Sequence, residues 1–229
     1  MFHVGPYTFT DNDARRTVDN LEVFWDQLSV GRDRSVIEPL WPELTGDLRT
    51  DLGLSWAAIM AAGPAMRAEG QMPASVTGSV AQLSVSKGGV PKKAVPEVHV
   101  TFSGVEGDLQ ATRVHHGRPW QALCIWAVEP IEHLRSLGHP IAPGLAGENI
   151  TLRGLPWAEV RCGTRLRIGT VLAEVSLYAL PCSSNKRWFL DGDFSAMHHD
   201  KGPVSRIYAT VLEPGTIAID DDAILEPAP

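Results

Sequence analysis

Many short strands joined by tight turns, with little long helix after residue 76, predict a mainly β protein closed into a barrel and preceded by an α-helical N-terminal segment. Three observations carry this expectation. Ala81, Leu83 and Val85 alternate with Gln82, Ser84 and Ser86, the period of a half-buried strand. Leu166 and Ile168 lead into a Gly169-Thr170 turn, after which Val171, Ala173, Val175 and Leu177 share one face of a second strand. Pro214-Gly215 then turns the chain between another pair of strands, with Pro214 fixing φ and Gly215 admitting a positive φ.

The elements follow in order. Thr10 caps a first helix with Asp13 three residues on, the spacing of a capping box, and Val18, Leu21, Trp25 and Leu28 lie on one helical face before Gly31. Ser55 caps a second short helix from Trp56 to Ala62, which Gly63-Pro64 ends, and a third piece covers Ala65 to Glu69. Helices this short do not bury their apolar stripes alone, so residues 1–76 read as a helical appendage that packs on the main domain or on a second subunit. Residues 77–222 form the barrel domain, and residues 223–229 a C-terminal tail. Within the barrel, Lys87 to Lys93 is a cationic loop and Glu97 to Phe102 a strand. Trp120 to Val128 is a continuous apolar run fit for a buried strand, and Pro130 to Leu137 is a helix stopped by Gly138.

Composition bounds the function. The chain has 229 residues, 44% apolar and 21% charged, enough for a sizeable core. A net charge of −7 argues against a nucleic-acid partner, which would call for a basic field. Cys124, Cys162 and Cys182 are irregularly spaced, without a Cys-x-x-Cys pair, which argues against a zinc site or a disulfide framework. The N-terminus lacks the basic and apolar regions of a signal peptide, and the run Leu52 to Ala62 is too short to span a bilayer. A cytoplasmic protein is expected.

Three clusters carry chemistry. Cys182 sits in Pro181-Cys182-Ser183-Ser184-Asn185-Lys186-Arg187, after a strand and just before two cations that favour a thiolate. It reads either as a small buried hydrophobe or as a soft metal ligand and nucleophile. Gly107-Asp108 and Arg113-Val114-His115-His116-Gly117-Arg118 form a glycine-containing loop with donors for an anion, or a solvated turn. Glu148 and Asn149, after Gly147, either brace loop backbone or orient a ligand edge, with architecture favoured for Glu148. Cys124 and Cys162 read as structural.

In order, Gly107-Asp108, His115-His116-Gly117, Gly147-Glu148-Asn149-Ile150, Gly163 through Gly169, Pro181-Cys182 and Val211 through Gly215 resemble the motif series of the MOSC domain, the C-terminal domain of molybdenum cofactor sulfurases. The resemblance runs from about residue 78 to residue 222 and is nearest to bacterial stand-alone members. It implies a β-barrel and a site around Cys182, the residue matching the cysteine that ligates molybdenum of a pterin cofactor or carries sulfur. Two activities come with it. One is reduction of N-hydroxylated or N-oxygenated small molecules. The other is sulfur carriage on a persulfide, in partnership with a cysteine desulfurase; a redox partner would serve the first. On this reading Cys182 is the metal ligand, with His115 and His116 as catalytic groups. Arg113, Gly117, Arg118, Glu148, Asn149, Lys186, Arg187 and Arg206 would hold the molybdenum cofactor. The chain departs from the family where Tyr178-Ala179-Leu180 replaces an Arg before Pro-Cys, and where Arg118-Pro119 follows Gly117.

Overall fold

The computed structural model describes residues 1–110 and 116–226. Two N-terminal strands that the sequence pattern did not suggest, β1 (Phe2–Val4) and β2 (Tyr7–Phe9), pair as a hairpin. Then come α1 (Asp11–Asp19), α2 (Leu21–Leu28) and α3 (Leu48–Ala68). The capping box is present: the Asp13 amide donates to Thr10 Oγ1 at 3.1 Å and the Thr10 amide to Asp13 Oδ2 at 3.0 Å. The single helix expected from Thr10 to Leu28 is broken at Asn20, whose side chain bonds the Arg16 carbonyl at 2.7 Å and competes with the backbone ladder. Conversely, the two pieces expected around Ser55 and Ala65 are one 21-residue helix, α3, capped by Asp47 and carrying Pro64 inside it. Ser55 is fully buried within that helix rather than capping it.

The remaining elements are β3 (Val76–Val85), β4 (Lys93–Val95), β5 (Glu97–Thr101), β6 (Gly104–Val105), β7 (Leu123–Ala127), α4 (Val128–Ser136), β8 (Ile150–Arg153), β9 (Arg165–Ile168), β10 (Val171–Tyr178), β11 (Ile207–Glu213), β12 (Gly215–Ala218) and β13 (Asp222–Leu225). Seven strands in the order β13-β9-β10-β11-β7-β8-β3 close into a ring through a β13–β3 pairing, with β4 beside β3. Closure removes the sheet edges that an open sheet would expose. Among the described residues only β7 and β8 run parallel, joined by a crossover containing α4. A separate three-stranded sheet has the order β12-β5-β6.

Three expectations change. Residues 223–225, assigned to a tail, lie in the strand that closes the ring. Gly215 does not adopt a positive φ, and β11 and β12 are no hairpin, because β12 pairs with β5; a Cβ at position 215 would collide with Thr170, so close approach is what requires glycine. The alternation of β3 is broken by a bulge between Val80 and Gln82, so Val80 and Leu83 are the fully buried pair.

The helices are continuous with the barrel core. One buried cluster runs from Phe9, Phe24, Trp25 and Met66 through Trp126, Ile150 and Leu166 to Leu225. Strand β10 is buried on both faces because the helical segment covers its outer side. Arg67 of α3 reaches Glu174 of β10 at 3.2 Å and the Gly163 carbonyl at 2.8 Å, all from buried positions. Gly63, one turn earlier, allows that approach, since a Cβ there would stand 2.6 Å from Glu174 Oε1. Among the described residues, no helix is long and apolar enough to cross a membrane.

Candidate functional site

At one end of the barrel, β7, β10 and β11 open into a cavity of about 690 Å³, within the range that holds small molecules and cofactors. Pairing sets its floor. Tyr208 stands opposite Cys124 in the β11–β7 register, and both face the cavity. Beyond the end of β10, the Ala179 amide donates to the Arg206 carbonyl at 2.9 Å and carries the chain along the rim to Cys182. A 3-10 turn, Ser183–Trp188, starts there, with the Asn185 amide donating to the Cys182 carbonyl at 2.9 Å.

Cys182 is half-buried and lines the cavity, so the small-buried-hydrophobe reading of this residue does not hold. Partial burial pushes its thiol up, but donation from the Ser184 hydroxyl, 3.2 Å from Sγ, and from the Ser184 amide, together with the Arg206 charge, holds it below the ordinary thiol value. The groups that favour the thiolate are therefore not the expected ones. Lys186 and Arg187 are exposed and lie outside the cavity lining: Lys186 Nζ sits over the Phe194 ring, and Arg187 stacks on Trp188 and bonds the Val90 carbonyl. The Phe194 and Trp188 rings and the Val90 carbonyl hold these cations outside the cavity, so neither makes the expected cofactor contact.

Arg206 and Arg118 do face the cavity, each 4% exposed. Arg206 donates to the Ala146 carbonyl and, at 3.4 Å, to the Leu180 carbonyl. Its buried Nε and the buried Asn185 Oδ1, which also lines the cavity, have no hydrogen-bond partner among the described residues. Such buried polar groups carry a desolvation cost that a bound polar ligand would relieve. Arg118 donates to Gln121 Oε1 at 3.0 Å and approaches Asp13 Oδ1 of α1 at 3.6 Å, so the helical segment shares its charge.

His116 lines the cavity with Nδ1 2.9 Å from the Tyr208 hydroxyl. Burial pushes the Tyr208 phenol well above its ordinary value, so it stays protonated at neutral pH and available as a donor. Gly117, at φ 76°, lines a separate shallow depression with Phe102 and Pro119, not this cavity. Arg113 and His115 lie outside the described residues.

Glu148 does not line the cavity and is wholly buried, accepting from the Gly144 amide at 2.6 Å; it braces the loop instead of holding a ligand. Asn149 lines the wall, but its side chain is engaged architecturally. Nδ2 donates to Asp108 Oδ2 at 3.0 Å and to the Ser84 carbonyl at 3.3 Å, and Oδ1 accepts from the Cys124 amide at 3.4 Å. Asp108 joins that bond to two more, from the Ser86 amide at 2.8 Å and from Lys92 Nζ. The cationic loop thus turns Lys92 inward into a buried ion pair.

Besides Tyr208, two further contributors were not expected from the sequence. Cys124, read as structural, lines the cavity, although burial pushes its thiol up, away from a thiolate. Arg16, Asn20, Val23, Phe24 and Gln27, from the α1–α2 segment, line the opposite wall. Their spacing of four, three, one and three residues is that of one helical face, a signal present in the sequence but masked by the stronger stripe through Leu21, Trp25 and Leu28.

Residues 112–223 match the family model of the MOSC domain. Protein YiiM of Escherichia coli (strain K12) is 33% identical over 132 residues, 54% of this chain and 57% of that protein. Uncharacterized protein YflK of Bacillus subtilis (strain 168) is 28% identical over 138 residues, 58% of this chain and 61% of that protein. The chain therefore spans about three fifths of the length of the curated relatives it matches. The crystal structure of YiiM from Escherichia coli superposes with a TM-score of 0.50 at 25% identity, over 66% of this chain and 70% of that one. A closed barrel, the ordered glycine loops and a Pro-Cys at the mouth of the cavity agree with these matches: residues 112–223, just under half of the chain, are similar to the MOSC domain.

Proposed function

We propose that this protein holds a molybdenum cofactor through Cys182 and reduces N-hydroxylated or N-oxygenated small molecules in the cavity at the barrel end. The observation that supports it most directly is a thiol held below its ordinary value at the rim of a cavity that also presents two buried guanidiniums. A pterin dithiolene bearing a phosphate needs a soft metal ligand, cationic donors for its phosphate and polar partners for its ring. The residues present fit that need: Cys182 for the metal, Arg206 and Arg118 for the phosphate, and the unpartnered Arg206 Nε and Asn185 Oδ1 for polar edges.

When bound, the group supplies the two-electron redox chemistry. The chain's own part is to bind, orient and move protons. Donation from the Ser184 hydroxyl and the nearby Arg206 charge both favour the anionic form of the sulfur. The Tyr208 hydroxyl, 2.9 Å from His116 Nδ1, would pass one of the two protons consumed when two electrons from a redox partner cleave the N–O bond and the oxygen leaves as water.

The test is to purify protein from cells competent in cofactor synthesis and to measure molybdenum and pterin in wild type and Cys182→Ser. Wild type is expected to carry metal and the variant to lose it. Equal metal in both, or none in either, overturns ligation. A persulfide on Cys182 after incubation with a cysteine desulfurase, without metal in wild type, would assign sulfur carriage to the same thiol.

A further inference from the structure

Large hydrophobic side chains left in solvent one at a time are ordinary, but several converging on one cavity mark a binding surface. Three do so here from three distant segments. Val23 of α2 is 44% exposed, Leu109 just after Gly107-Asp108 57%, and Leu180 beside Pro181-Cys182 58%, and all three line the same cavity. Leu177 and the Phe24 ring continue the apolar wall inward. The charged groups lie deeper or to one side: Arg118 and Arg206 are almost completely buried, whereas the leucines and the valine stand at the opening.

The α2 wall is fixed in place. Phe24 is 1% exposed and meets Trp120 edge to face at 5.7 Å, and Gln27 Oε1 accepts from the Tyr178 amide at 2.7 Å. The wall is thus anchored both to the segment before β7 and to the end of β10. It also lies outside residues 112–223, the part matching the domain family, so it is a feature of this chain's own N-terminal segment.

We infer that Val23, Leu109 and Leu180 form an apolar subsite that receives the non-reacting body of the ligand, and that the protein therefore selects hydrophobic, ring-bearing N-oxygenated compounds over small polar ones. This rests on the reading of the cavity as a substrate site, but its physical content is a preference in binding and does not require a metal. A ring placed in the collar exchanges its own water and that on three aliphatic side chains for contact, and α2 supplies one side of that contact. A methyl-sized body leaves the collar wet and gains almost nothing from it. The N-terminal segment then has a defined role, in which Val23 sets which ligands enter while Cys182 and the arginines hold what reacts.

The experiment is isothermal titration of full-length protein, with its molybdenum content measured beforehand, using benzohydroxamate and acetohydroxamate as probes. Wild type is expected to favour the aromatic probe by about tenfold or more, the scale set by burying roughly half of a ring. Val23→Glu should reduce that ratio by about tenfold, and Val23→Leu should preserve it, with urea midpoints confirming that both variants fold. A ratio near one in wild type, or a Val23→Glu variant that weakens both probes equally or neither, overturns the inference. If the protein contains no molybdenum yet the ratio still collapses in Val23→Glu, the collar stands and the cofactor reading falls.

Discussion

Asp108→Asn isolates what the Gly107-Asp108 pair does in this chain. Asp108 and Lys92 are buried at the side chain, 2% and 9% exposed, and joined by an ion pair beneath the cavity wall. The carboxylate also accepts from the Ser86 amide and from Asn149 Nδ2. An amide of the same size keeps one acceptor. If that oxygen stays on the Ser86 amide, the new NH2 faces both the Lys92 ammonium and the Asn149 NH2, three donors with no acceptor between them. Removing one partner of a buried pair costs about 3–5 kcal/mol, mostly because the surviving charge is stranded. Against a total stability of about 5–15 kcal/mol this is severe. With a urea dependence of about 2 kcal/mol/M, the midpoint should fall by roughly 1.5–2.5 M. Lys92→Met in the Asp108→Asn background removes the stranded charge and should recover a substantial part of the loss, because the two substitutions are coupled. The measurement is urea unfolding of the four members of the cycle, followed by far-UV circular dichroism. A midpoint within about 0.5 M of wild type for Asp108→Asn, or no recovery in the double variant, would refute the view that this pair is an architectural brace.

Other outcomes follow from the same geometry. Because the Cys182 thiol lies below its ordinary value and the Cys124 thiol above it, thiolate appears at Cys182 first as pH rises; mass-resolved alkylation with iodoacetamide should label Cys182 at lower pH, and Ser184→Ala should move its profile to higher pH. Labelling of Cys124 ahead of Cys182 would contradict the assigned environments. Tyr208→Phe removes the hydroxyl 2.9 Å from His116 and, if that pair delivers the proton, should lower kcat by about 10²-fold or more with molybdenum content retained; an unchanged kcat assigns the bond to structure alone. Phe24→Ala opens a cavity between α2 and Trp120 and should cost about 3–5 kcal/mol in urea unfolding, whereas a loss below about 1 kcal/mol would mean that the helical segment is a loosely held appendage.

Much of the barrel was legible because its signals are local. The Gly169 turn has a positive φ of 54°, and within the apolar run Trp120 to Val128 a fully buried strand forms over Leu123–Ala127, after a 3-10 turn at Pro119–Gln121. What local reading misjudged depended on partners distant in sequence. Pro64 lies inside a long helix because Gly63 and Arg67 dock that helix on Glu174, and tertiary contact outweighs the break that a proline ordinarily imposes. Pro214-Gly215 has turn composition, yet the strand after it pairs with β5 across the molecule. In the site, Cys182 was found through its motif, but the charge that favours its thiolate comes from Arg206, 24 positions along the chain, and not from adjacent Lys186 and Arg187. Tyr208 carries no sequence mark beyond its place in an apolar strand; only the pairing of β11 with β7 sets it beside Cys124 and His116.

The β13–β3 seam has a consequence for biosynthesis. Leu225 pairs with Val76, so the first strand of the ring is completed by a partner made about 150 residues later. On the ribosome β9 and β10, adjacent in sequence, can pair as soon as both have emerged, whereas β3 emerges with an open flank and keeps it until β13 has been translated. The polar residues Thr77 and Ser79 on that flank, together with Gly78, keep it from offering a continuous apolar edge to neighbouring nascent chains during the wait.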